Sequence, residues 1–376
     1  MNTKTLLLGT SALVAATFAG GAAMAGQVGS KDAMSLTLGG ELLFNVGMVN
    51  QDVSAGRGRG YSFTVDSAEV HVEASNTADN GLLYGVAIEL NADATSATAA
   101  DEAYAYVDSA TWGRIEMGDN DDATDRMYVE SDDILVGRKG PDGDPTDFFA
   151  VGGAIAATGN SATGDNTKLI YFSPRFGGFQ LGASLTPDTG INSGTGGLVD
   201  TDNDGDFENV VGLGANWTGT YDDVGITLSL TGEFGDAETA SGAATVGDVE
   251  TISVGGTVTF AGFGIGAGYV DFGDRSITAA AQATGADAGS YWTLGGSYKA
   301  GPWGFSANWF ESTRDNGGAL ADTDVQLITF DLAYQVAPGW ELNAALALLD
   351  AENINGNAAN VNNDGTMFVI GNQFNF

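Results

Sequence analysis

A period of two constrains this chain more than any other feature. From residue 36 onward, short segments alternate apolar and polar side chains, break at a turn, and resume. Leu36, Leu38, Leu42, Phe44, Val46 and Met48 share one parity, and Thr37, Gly39, Glu41 and Asn45 the other. Successive side chains of a strand point to opposite faces, so each such segment carries one apolar face and one polar face. Ala68, Val70, Val72 and Ala74 against Glu69, His71 and Glu73 repeat the pattern. So do Leu82, Tyr84, Val86, Ile88 and Leu90 against Gly85, Ala87, Glu89 and Asn91.

The unit recurs to the end of the chain. Segments near 104–108 and 114–118, 168–173 and 179–185, 211–217 and 224–230, 252–260 and 263–269, 292–298 and 303–309, and 328–334 and 340–348 each pair across a short turn. With the opening strand, the hairpin over 68–90 and a closing strand that ends on Phe376, this makes about sixteen strands, an even number in the range of membrane barrels. Turns of a few residues alternate with long loops rich in Asp, Asn, Gly and Thr. Trp112, Tyr171, Phe176, Phe179, Trp217, Phe260, Phe263, Tyr298, Trp303, Tyr334 and Trp340 crowd the turn side, where a girdle at a membrane boundary would lie. A β-solenoid or a large sandwich alternates at the same spacing. The small polar residues of the second face fit a water-filled lumen better. The expected fold is all-β: a transmembrane antiparallel β-barrel of about sixteen strands.

Charge and the N-terminus point the same way. The 376 residues carry a formal charge of -36, yet 43% are apolar, too many for a disordered acidic chain. So acidic a surface excludes nucleic acid as a partner and attracts cations. The absence of cysteine fits passage through an oxidising periplasm. Lys4, the apolar run from Leu6 to Ala19, and Ala23-Met24-Ala25 read as a signal peptide over 1–25. The barrel domain would then span 26–376 and begin at Gly26. No other stretch could cross a bilayer as a helix, so membrane insertion requires a barrel.

Residues 119–166 interrupt the alternation. They hold Asp119, Asp121, Asp122, Asp125, Glu130, Asp132, Asp133, Asp142, Asp144 and Asp147 against Arg126, Arg138 and Lys139. An insert of this length in a compact fold is functional or disordered. As the third external loop it is expected to fold into the barrel and narrow it, pinned by Phe148, Phe149, Val151 and Ile155. Asp121, Asp122, Asp125, Asp132 and Asp133 are the candidate acidic side of the constriction; the bland alternative is solvated loop carboxylates. Arg114 and Lys168, on strands at lumen parity, and Arg57 and Arg59 in the first loop are candidates for the opposing wall, since a transverse field needs both signs.

Two further motifs stand out. Asp200, Asp202, Asp204, Asp206 and Glu208 alternate around Gly205 like a calcium loop, although Val211 occupies the twelfth position where an EF-hand needs Glu. Structural Ca2+ is the one candidate cofactor, with nonspecific ion binding by an acidic loop as the alternative; calcium could also bridge loop carboxylates to lipopolysaccharide. His71 is the single histidine. With Ser67, Ser75 or Asp66 it could suggest a hydrolase, but no nucleophile, base and orienter are marked, so the chain is not read as an enzyme.

The segment TKLIYFSPRFGGFQLGASLTPD, residues 167–188, resembles the stretch after the constriction loop of alphaproteobacterial, Rhodobacter-like general porins. EAYAYVDSATWGRIEMGD, residues 102–119, resembles the strand pair before that loop, and the terminal Phe376 resembles the assembly signal of outer-membrane proteins. The resemblance implies a sixteen-stranded homotrimer in the Gram-negative outer membrane, among lipid and lipopolysaccharide, with the third loop turned inward. The expected function is a water-filled, cation-preferring channel for passive diffusion of small hydrophilic solutes and ions. The alternative is a substrate-selective channel, or a structural or adhesive barrel. The scarcity of aromatics on the lumen parity favours the general channel.

Overall fold

The computed structural model describes residues 34–52, 60–92, 100–140, 148–149, 159–190, 204–240, 242–354 and 361–376. Sixteen strands close into one barrel. The first eight are β1 (Ser35–Gln51), β2 (Tyr61–Thr77), β3 (Leu83–Asn91), β4 (Ala100–Ser109), β5 (Gly113–Asp119), β6 (Thr167–Phe172), β7 (Phe179–Asp188) and β8 (Phe207–Tyr221). The rest are β9 (Val224–Ala237), β10 (Val249–Phe260), β11 (Phe263–Asp271), β12 (Ser290–Ala300), β13 (Trp303–Arg314), β14 (Thr323–Ala337), β15 (Trp340–Glu352) and β16 (Asn363–Asn375). Each pairs antiparallel with its neighbours in sequence, and β16 pairs with β1 through Leu42↔Phe374, Val46↔Ile370 and Met48↔Phe368. Phe376 completes the seam by exchanging backbone hydrogen bonds with Gly40, both of 3.0 Å. Among the described residues, no strand edge is left for another chain to pair with.

The two parities separate as the alternation requires. On β9 Leu228 and Leu230 are 52% and 57% exposed, whereas the intervening Ser229 is 5% exposed. Ile265, Leu213, Leu181 and Phe305 are likewise exposed on neighbouring strands. An apolar surface that encircles the molecule is what a bilayer, not water, would cover. Aromatic rings meet beside the short turns: Phe263 with Tyr298 at 4.4 Å, Trp303 with Tyr334 at 4.4 Å, and Trp340 with Phe374 at 5.7 Å. A second level, including Tyr269, Trp292 and Trp309, lies about 20 Å further along the strands at 3.4 Å per residue. The two-residue turn Ala261-Gly262 takes φ of 50° and 86°, the positive pair that a type I′ hairpin demands.

The inner face is less uniform than the alternation suggests. Tyr291, Phe310, Val325, Leu327, Leu349, Met367 and Val369, all on the inward parity of β12 to β16, form a buried apolar cluster with Phe148 and Phe149. The small polar lumen face expected from the sequence does not hold for this arc, nor at Ile170 and Phe172 of β6, which pack against Ala123 and Met127. The signal peptide expected over 1–25, and Arg57, Arg59, Val151, Ile155, Asp200 and Asp202, lie outside the described residues.

Candidate pore constriction

The loop between β5 and β6 starts with a five-residue helix, Ala123–Met127, capped by Asp122, whose Oδ1 accepts the Asp125 amide at 2.8 Å and the Thr124 hydroxyl at 2.7 Å. The bed beneath it is glycine. A Cβ on Gly182 or Gly214 would run into the Met127 sulfur, and one on Gly212 into the Asp122 carboxylate. These inward positions of β7 and β8 thus admit the helix against the wall because they carry no side chain.

From there the loop passes along inward-facing side chains of successive strands. The Val129 amide donates to Ser229 on β9 at 2.9 Å. Glu130, 9% exposed, accepts from Thr293 on β12 at 3.1 Å and from Tyr291 at 3.4 Å. The Val136 amide donates to Ser306 on β13 at 3.2 Å, and Gly137 lies close to Asp331 on β14 and Asn343 on β15. Arg138 then pairs with Asp66 on β2 at 2.9 Å. Phe148 and Phe149, 2% and 1% exposed, sit against Gly47 on β1 and Gly365 on β16, and Gln51 donates to the Phe148 carbonyl at 3.1 Å. Of the anchoring residues expected from the sequence, both phenylalanines are thus in place. The returning limb is held at β9, where Asn160 donates to Thr231 at 3.1 Å and the Ala162 amide to Glu233 at 2.6 Å.

Strands β2 and β3 keep a partly open inward face, and the inward face of β2 to β5 is charged. Glu116, fully buried, accepts from Arg114 of its own strand, from Arg126 of the loop helix, and from Asn120 at 2.6 Å. Arg114 lies over the Tyr106 ring at 4.0 Å and Arg126 over Phe172 at 4.7 Å, so each guanidinium is fixed by a carboxylate and an aromatic face. A cavity of about 850 Å³ opens between this wall and the loop on the side of the short turns. His71, Glu73, Glu89, Tyr106 and Arg114 line one side of it, and Arg126, Val129 and Asp133 contribute from the loop.

The sequence-derived candidates separate into different roles. Arg114 does face the lumen, already paired. Lys168 is buried and donates to the carbonyls of Asn120 and Gly164, so it ties the two ends of the loop together rather than facing solutes. Asp122 is consumed as a helix cap. Asp133 is exposed on the cavity and also accepts the Glu130 amide at 2.9 Å. Asp121 converges with Glu102 of β4 and Asp165 of the returning limb, their carboxylate oxygens all within 4.8 Å. Burial, then Asp121, Asp122 and Asp132, push the Asp125 carboxyl well above the usual carboxylate range. Burial, then Asp121 and Asp101, push Asp165 up to about 7.

Sequence reasoning missed Glu102, Glu116, Arg126, Arg138 and Asp165 as site residues. Glu102 and Glu116 are inward-parity acids in the strands that flank the loop, which is the signal that could have found them. In the proposed calcium loop, Asp206 comes within 4.8 Å of Asp188 and Glu238, and the Asp204 amide donates to Glu238 at 3.0 Å. The described donors are therefore drawn from three segments. Glu208 belongs to β8, opposite Asp188 and Asp236.

A comparison with curated protein sequences gives no match. Among solved structures, OmpT of Vibrio cholerae in its trimer form aligns with a TM-score of 0.61 at 15% identity, over 92% of this chain and 100% of that one. An anion-selective porin from Comamonas acidovorans aligns at 0.60 and 16%, over 91% and 100%. A mutant of the Rh. blastica porin aligns at 0.54 and 16%, over 91% and 100%. These likenesses are of fold. The family model for Gram-negative porins matches residues 10–354. With sixteen strands closed into a barrel, an apolar belt outside and a charged, loop-crossed interior, this chain belongs to the Gram-negative porin family, whose members are outer-membrane channels and not enzymes.

Proposed function

We propose that the barrel is a water-filled channel for passive diffusion of small hydrophilic solutes, that its third loop forms the constriction, and that it prefers cations. One observation carries the preference. At the level of the loop, Arg114 and Arg126 are both committed to Glu116, Arg138 to Asp66, and Lys168 to backbone carbonyls. Against them stand Glu89, Asp121, Asp132, Asp133 and Asp165. In a narrow passage walled by protein, a surplus of carboxylate raises the local concentration of cations and excludes anions. The barrel alone does not set the sign, since the Comamonas acidovorans porin with the same fold is described as anion-selective.

Reversal potential across a salt gradient in a planar bilayer tests this. Cation selectivity is expected at low salt and should fade as the Debye length drops from about 10 Å at 0.1 M to about 3 Å at 1 M. Anion selectivity at low salt would overturn it.

Three further points belong to the same proposal. A homotrimer is supported by the trimeric form of OmpT, and crosslinking of the protein in membranes tests it. Export with removal of residues 1–25 is supported by the Ala23-Met24-Ala25 site, and an outer-membrane form whose mass starts at Gly26 tests it. Calcium in the β7–β8 loop, bridging toward lipopolysaccharide, is supported by Asp206, Asp188 and Glu238 as hard oxygen donors. Melting that is unchanged by chelation would dismiss it.

A further inference from the structure

Strands β2 and β3 carry a group in which Glu89 of the charged wall meets a histidine and a second glutamate. His71 and Glu89 stand directly opposite each other across the ladder. Glu69 lies two residues before His71 and so on the same face. Nε2 of His71 is 2.9 Å from Oε2 of Glu69 and 3.9 Å from Oε2 of Glu89, and one donor atom from each of the three lies within 4.8 Å of the others. The side chains keep 20%, 25% and 15% of their exposure, and His71 and Glu89 line the cavity, so the group opens to water.

We propose that Glu69, His71 and Glu89 form a binding site for a divalent transition-metal ion, Zn2+ or Cu2+, set in the charged wall of the lumen. A tetrahedral ion with bonds of about 2.1 Å places its donors about 3.4 Å apart. The two separations from the imidazole, 2.9 and 3.9 Å, bracket that value. Capture therefore requires rotamer adjustment and no movement of the backbone, which two paired strands hold rigid. The imidazole sets the class of ion: nitrogen with carboxylates suits zinc and copper, whereas calcium and magnesium prefer oxygen alone. Three protein donors with water in the fourth position make an open site. Neighbouring acids are engaged elsewhere, Glu41 by the Ser67 hydroxyl at 2.6 Å and Glu73 by Tyr106. A proton is the competing occupant. It would leave an imidazolium between two carboxylates, and an arriving ion would displace it. A bound dication would cancel the charge of both glutamates and reduce the current of cations past them.

Two measurements test the site. Cu2+ added to the folded protein in detergent should show nitrogen coupling from one imidazole in its electron paramagnetic resonance spectrum. The coupling should vanish in His71→Gln, and Glu89→Gln should bind Cu2+ several-fold more weakly. In planar bilayers, Zn2+ should lower the conductance of wild type and leave that of His71→Gln unchanged. Only this second arm rests on the channel function proposed above. Nitrogen coupling with unresponsive conductance would sustain the site and count against the channel. Absence of coupling in wild type, its persistence in His71→Gln, or a zinc block of the same size in wild type and His71→Gln would overturn the proposal. Heat-dependent gel mobility verifies that each variant forms a barrel; if His71→Gln does not, undiminished copper binding by Glu89→Gln overturns it.

Discussion

The inner wall consists of two unlike arcs. From β11 round to β16 it is apolar in its outer half, with Phe310, Leu327, Leu349 and Val369 buried under the third loop. From β2 to β5 it is charged, with His71, Glu89 and Arg114 lining the cavity, Glu69 beside His71, and Glu116 buried against Arg114. Both arcs are strands of one barrel with one alternation, so the difference lies in what covers them. Where the loop packs, the inward face behaves as a protein core and burial stabilises it. Where water stays, charges cost little and act on what passes. The loop thus turns half of a lumen into a core and leaves the other half as the working surface.

Substitutions should separate the arcs. Phe149→Ala, on the covered arc, should cost about 3–5 kcal/mol, as for other buried aromatics truncated in a core, and should raise or destabilise the conductance as the loop loosens. Glu89→Gln, on the charged arc, should change stability by less than about 0.5 kcal/mol while weakening cation preference. Thermal melting in detergent with single-channel recording reads both. Equal effects on melting would mean that the arcs are not energetically distinct.

The outer face provides a control independent of either arc. Leu230→Arg should cost about 2–4 kcal/mol, because Leu230 lies well along β9 on the lipid side. Ile226→Arg, on the same parity but only two residues into the strand, should cost about 0–1 kcal/mol. Ile226 shares its parity with the lipid-facing leucines but sits near the turn, which places it at the boundary and not at mid-membrane. Unfolding of the barrel in urea with lipid present compares the two.

Within the charged arc, where the loop helix meets β5, Glu116→Gln should cost about 1–3 kcal/mol by leaving Arg114 and Arg126 without their shared carboxylate. It should also move selectivity toward anions. Unchanged reversal potential in this variant would remove Glu116 from the field-setting groups.

The smallest expected effect is that of pH. Asp165 has a folded pKa of about 7, above its ordinary 3.8, because burial and Asp121 disfavour its charge. The folded state therefore holds a proton that the unfolded chain has released, so stability falls as pH rises between those values. Over the same interval the loop gains negative charge, and cation preference should rise as pH passes 7. A flat selectivity profile in wild type, or an unaltered one in Asp165→Asn, would show that Asp165 lies off the ion path.

Local sequence determined the strands, their parity and the place of the third loop. Leu228, Ser229 and Leu230 already state which way each residue points, because a strand's period of two needs no distant partner to be read. The absence of any other span, the short turns and the girdle then left a membrane barrel as the remaining fold. Only the tertiary structure decided the roles inside it. Lys168 has lumen parity like Arg114, yet one ties loop ends together and the other faces the cavity, since that depends on where a loop of many residues returns. Leu327 beside Ile328, and Leu348 beside Leu349, read as strands with two apolar faces, a hint that something covers the inside. What covers it, Phe148 and Phe149, comes from nearly two hundred residues away in sequence. Charge placement follows the same logic: the chain declares its acids, but Glu102, Asp121 and Asp165 become neighbours only when the barrel closes and the loop folds back, because a field is set by distances in space.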